Sequence, residues 1–142
     1  MDLLEKAYVI FRLPALSRNQ RKEIVKKKKF YFYDLGIRNT LILNYAPLHL
    51  RTDAGGLWEN FCVSERLKFL RNKEQDFPLY FWRNYAKQEV DLIEQISFNT
   101  FNVFEFKVKE KKVKLPSSFQ TDYFVNNFSM IHRKNWWNLL QS

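Results

Sequence analysis

One cysteine, two histidines, three glycines and four prolines are spread over 142 residues, and each scarcity excludes something. A lone Cys62 permits no disulfide framework and no cysteine-based zinc site. His49 and His132 have no ligand spacing with each other or with Cys62 and read as structural residues. Few glycines and prolines argue against a loop-rich scaffold. No apolar run approaches the roughly 18 residues of a membrane-spanning helix, so no membrane partner is expected. The N-terminus lacks the charged-then-apolar layout of a signal peptide, which makes the cytoplasm the expected compartment. No glycine sits in a G-x-x-x-x-G-K-[ST] loop, so ATP hydrolysis by that route is excluded.

What is present is apolar and basic. Hydrophobic residues make up 46% and aromatics 18%, the composition of a packed globular domain. Lys and Arg number 24 against 15 Asp and Glu, a net charge of +9. That balance favours polyanions, whether nucleic acid or an acidic membrane surface, and nucleic acid is the partner expected here.

Along the chain, Asp2 to about Phe11 has helical spacing, although Tyr8 to Leu13 reads equally as the start of a strand. Arg18, Arg21, Lys22 and the run Lys26 to Lys29 are basic, and Phe30 to Leu35 is an aromatic strand. Residues 8 to 35 thus read as a hairpin with a long basic loop, either a phosphate-contacting finger or a solvated loop. Ile37 to Tyr45 reads as a short helix, and a longer one runs from about Gly56 to Asn72. Three strands follow: Pro78 to Arg83, the Asp91 strand, and a strand from Val103 to Val108. Lys109, Lys111 and Lys112 lie in the basic connection beyond them. Pro116 opens a helix that continues through Phe119, Tyr123, Phe124 and Asn127. Met130 to Arg133 reads as a last strand, parallel to a neighbour because a helix precedes it. Trp136 and Trp137 read as packing residues. The fold class is α/β, with residues 1–54 as an N-terminal helix and β-hairpin extension and 55–142 as the core, together one compact unit.

The central oddity is charge on apolar strands. Phe104, Phe106 and Val108 share one face, and Phe101, Val103, Glu105 and Lys107 share the other. Asp91 sits among Val90, Leu92 and Ile93. Buried charges need each other, a metal or a ligand. A hairpin can set Asp91 beside Glu105, and two adjacent carboxylates suit Mg2+ or Mn2+, with the Phe106 carbonyl as a further oxygen. Lys107, on the face of Glu105, is placed to orient a water or counter phosphate charge. The other reading is a salt-bridge set.

Asp91 followed by Glu105-Phe106-Lys107 resembles the signature of the PD-(D/E)xK nuclease superfamily. Phe30 to Gly36, Gly56 to Phe61, Tyr80 to Arg83, Glu89 to Ile93 and Phe104 to Lys107 together resemble the C-terminal domain of a large group of prokaryotic AAA+ ATPases. The resemblance implies a restriction-endonuclease-like core: helix, three-stranded antiparallel meander, helix, strand. It implies catalytic roles for Asp91, Glu105 and Lys107, and metal ligation by Glu59, Asp91 and Glu105. Glu59 reads alternatively as a partner for a basic residue or as a helix cap. Arg83 and Glu89 either support the site or pair on the surface. Gln120 stays open, and Tyr123 reads as packing. Nucleic-acid contacts fall to Arg18, Arg21, Lys22, Lys109, Lys111 and Lys112. Full-length relatives carry an AAA+ ATPase domain that is missing here, so the chain reads as an excised domain or a truncated gene product. A homo-oligomer is compatible with all of this. The expected function is metal-dependent phosphodiester hydrolysis of DNA or RNA. The alternative is a catalytically silent nucleic-acid-binding, regulatory or oligomerisation module.

Overall fold

The computed structural model describes residues 2–18 and 27–141. Arg21 and Lys22 lie outside the described residues. A short helix α1 (Asp2–Lys6) leads into strand β1 (Ile10–Pro14), which pairs antiparallel with β2 (Lys28–Phe32). The open question at the N-terminus resolves as a one-turn helix followed by a strand. Helix α2 (Leu35–Leu41) follows, its first turn capped by Asp34, whose carboxylate accepts the Ile37 N–H. The long helix α3 (Ala54–Asn72) precedes strands β3 (Leu79–Arg83), β4 (Glu89–Ser97) and β5 (Thr100–Phe106). Helix α4 (Ser117–Asp122) and strand β6 (Phe124–Ile131) complete the core.

The result is a mixed α/β fold with two sheets, the β1-β2 hairpin and a four-stranded sheet in the order β3-β4-β5-β6. The first three strands form the antiparallel meander that alternation and turns imply, and β6 joins β5 in parallel. Apolar residues on both faces of the sheet need cover on both sides. On one face Leu92, Phe104 and Phe106 pack with Trp58, Cys62 and Val63 of α3, with Phe11, Leu13 and Tyr31 of the hairpin, and with Leu139. On the other face Val90, Ile93, Phe101 and Val103 pack with Phe119 and Tyr123. Leu139 belongs to a 3-10 turn, Trp136–Leu140, in which Trp136 meets Phe61 edge-on. The hairpin abuts the β3 edge, where the Leu16 N–H donates to the Phe81 carbonyl at 2.7 Å.

The elements after β4 depart furthest from the sequence reading, and α2 also ends at Leu41 rather than Tyr45. The helix opened by Pro116 ends at Asp122, and Phe124 and Asn127 lie in β6 rather than in that helix. Tyr123 already has extended backbone, at φ −132° and ψ 136°. From there the strand-favouring run Phe124-Val125, then Phe128, follows β5 from Thr100 to Phe106. Pairing along that length satisfies more backbone groups than another helical turn on an exposed surface would. The last strand therefore starts six residues before Met130, and β5 starts at Thr100 rather than Val103.

Candidate active site

Asp91 and Glu105 lie one step beyond the last ladder pair of β4 and β5, Leu92 with Phe104. The hairpin thus sets the two carboxyls side by side, as the spacing of fourteen positions implies. A bulge helps aim Asp91: Tyr80 pairs with Ile93 but Trp82 pairs with Val90, so β4 carries one extra residue there. The Phe106 N–H donates to Asp91 Oδ2 at 2.8 Å. Phe106 thus engages Asp91 through its amide. Asp91 is 7% exposed and Glu105 is 4% exposed, so neither carboxylate is freely hydrated.

Burial pushes both groups up. Asp91 is raised by desolvation and then by the Glu59 charge. Glu105 is raised by desolvation and then by Asp91, from 4.5 to about 8. Burial and their mutual repulsion thus make the pair hold a proton more tightly than free carboxyls do. Lys107, the first residue beyond β5, places its Nζ 3.5 Å from Glu105.

Two further acids close on this pair. Glu59 projects from the first half of α3, and Glu89 starts β4. Glu59, Glu89 and Asp91 each present an oxygen such that all three lie within 4.8 Å of one another. The sequence placed Glu89 beside the site without assigning it a ligand role; the fold makes it a full member. Its signal is its position two residues before Asp91, across the bulge.

The cations are equally specific. Lys29 of β2 donates to Glu59 Oε1 at 2.9 Å and also to Glu89. Tyr31 donates its hydroxyl to the same Glu59 oxygen at 2.5 Å. Lys29 and Tyr31 are two residues apart on one strand, hence on one face. Burial lowers the Lys29 ammonium's affinity for its proton, but Glu59 and Glu89 outweigh that and raise it. Burial and Glu59 likewise push the Tyr31 phenol up, so it stays a donor. Asn60, the next residue on α3, pins β2 by taking the Phe32 N–H at 3.0 Å and donating to the Phe32 carbonyl at 2.8 Å. Arg83 pairs with Glu89 from the outer side. Sequence reasoning missed Lys29 as a site residue, reading it only as part of a basic run.

Four carboxylates thus face three cations, Lys29, Arg83 and Lys107. Among the described residues the cluster is one positive charge short when all four acids are ionised. The donors are hard carboxylate oxygens from three separate elements, the set that Mg2+ or Mn2+ takes.

The surface around the acids is basic. A cleft of about 450 Å³ on the Glu89 side is lined by Lys27, Arg83, Asn84, Tyr85 and Lys87. A second, of about 600 Å³, follows Lys107 and includes Lys109, Arg133 and Lys134. Lys109, Lys111 and Lys112 are exposed on the connection after β5. Arg18 stands apart, with its guanidinium 5.5 Å from the Tyr123 ring centroid. Tyr123 packs against Phe119 and Phe101, as its spacing from Gln120 suggests. Gln120 donates to the Leu115 carbonyl. His132 is 8% exposed, and its Nδ1 accepts the Lys134 N–H.

Searches of the curated proteins and of the solved structures return no match. Residues 1–49 match a domain of unknown function, DUF8612, and this stretch contains Lys29 and Tyr31. Residues 54–132 match a second domain of unknown function, DUF4143. That match holds α3, the four-stranded sheet and all four clustered acids, and it covers more than half of the chain. The chain belongs to the DUF4143 family.

Proposed function

We propose that this domain is a divalent-metal-dependent phosphodiester hydrolase of the PD-(D/E)xK type, acting on DNA or RNA. The observation that carries the reading is the buried Asp91–Glu105 pair, with Lys107 against Glu105 and Glu59 and Glu89 closing the cluster. The element order α3-β3-β4-β5-α4-β6 supports a restriction-endonuclease-like core. Glu59, Glu89 and Asp91 are the residues that would hold Mg2+ or Mn2+, with Glu105 beside Asp91. The ion would polarise the scissile phosphate and make a water nucleophilic at neutral pH. Lys107, 40% exposed at its side chain, supplies a mobile ammonium to orient that water and counter phosphate charge. The basic clefts on either side track the polyanion. The domain acts in the cytoplasm, attached in longer relatives to an AAA+ ATPase.

A second reading, a catalytically silent nucleic-acid-binding or regulatory module, is favoured by one observation. Lys29 neutralises part of the acidic cluster without any metal.

The test is cleavage of single- and double-stranded DNA and RNA in Mg2+ or Mn2+, with Asp91→Ala and Lys107→Ala as controls. The expected result is cutting by the wild type, reduced in both variants by at least roughly 10²–10³-fold, the scale of one lost electrostatic stabiliser of the transition state. Equal residual cutting in all three proteins contradicts the proposal. Salt-sensitive binding without any cutting selects the silent module.

A further inference from the structure

The acidic cluster already holds a cation of its own. Lys29 Nζ bridges Glu59 and Glu89, two of the three groups whose oxygens converge within 4.8 Å. An ammonium in hydrogen-bond contact with both carboxylates fills the space between them. The side chain is only 21% exposed, and Nζ also lies 5.2 Å from the Phe81 ring centroid. The anchor is firm, because Tyr31 shares Glu59 and Asn60 clamps Phe32 further along the same strand. Yet Lys29 lies next to the start of β2, in the basic run of sequence Lys26 to Lys29. Lysine is a flexible stem ending in a point charge, so its head can swing without moving the strand.

We propose that Lys29 is a tethered gate on the site. Its ammonium holds the place of a divalent cation between Glu59 and Glu89 and must leave before the ion can bind both. This rests on the metal reading above and adds a regulation to it. Two positive charges cannot share that space, because their repulsion disfavours joint occupancy. The metal affinity of the protein is therefore set by the difference between the two cations, and the hairpin that carries Lys29 controls the site.

The experiment is calorimetric titration of manganese chloride into the full chain, for wild type, Lys29→Met and Asp91→Asn, at one pH and ionic strength. The expected result is binding by Lys29→Met at least about tenfold tighter than by wild type, and loss of binding in Asp91→Asn. Equal or weaker binding by Lys29→Met, with Asp91→Asn still inactive in binding, overturns the gate and leaves the metal reading intact. No binding by wild type or Lys29→Met overturns both. A second measurement needs no variant. Lys29 in the wild type is acetylated with acetic anhydride, with and without saturating Mg2+, and the peptide is read by mass spectrometry. Lys29 should be protected without metal and reactive with it. Protection unchanged by a saturating ion overturns the gate.

Discussion

Glu105 is the residue on which the electrostatics of the site turn. Its neighbours leave it a proton up to about pH 8, whereas the unfolded chain releases that proton near 4.5. Between those values the native state binds more protons than the unfolded state, so stability falls as pH rises. The contribution is fully present below about 4.5 and lost through about 8. Chemical denaturation of the metal-free protein across that range should show the decline, and Glu105→Gln should flatten it. An undiminished slope in Glu105→Gln would remove Glu105 as the cause. At this scale Asp91, Glu105 and Lys107 were readable from strand alternation, because charge on a buried strand is a local signal. Lys29 was not. Its partners are 30 and 60 residues away, and only the folded hairpin brings its ammonium to them.

Among the elements, α3 brings Glu59 to the site and shows one avoidable cost. Its C-terminal turn has the Gln75 N–H on the Leu70 carbonyl and the Glu74 N–H on the Arg71 carbonyl. That is the helix stop usually built with glycine in the left-handed conformation. Here Glu74 adopts it, with φ 55°. Glu74→Gly should therefore stabilise the domain by about 0.5–1 kcal/mol in thermal or chemical denaturation. A loss of stability would mean that the Glu74 side chain contributes more than its backbone strain costs. The meander and α3 were legible from local signals, the length of α3 and the aromatic and β-branched strands of the meander. The α4–β6 boundary was not, since Phe119, Tyr123, Phe124 and Asn127 fit a helical stripe locally. Pairing with β5, a contact made across the fold, decides in favour of the strand.

For the whole molecule, the net charge of +9 meets the acidic cluster as a contrast. Clefts containing Lys27, Arg83 and Lys87 on one side and Lys109, Arg133 and Lys134 on the other flank four carboxylates. If the domain binds a polyanion as proposed, these clefts are its phosphate-contacting surface. Nucleic-acid affinity should fall steeply with salt, and the joint change of Lys109, Lys111 and Lys112 to Gln should lower the log–log slope by roughly two to three, at about 0.7–0.9 per lost phosphate contact. Affinity indifferent to salt would argue against a phosphate-tracking surface.

The most direct measurement of the central claim is anomalous diffraction from crystals soaked in manganese. The account requires a manganese peak among Glu59, Glu89 and Asp91, with Lys29 turned away from Glu59 and Glu89. Saturating manganese with no peak there, and Lys29 still bridging the two glutamates, would contradict it.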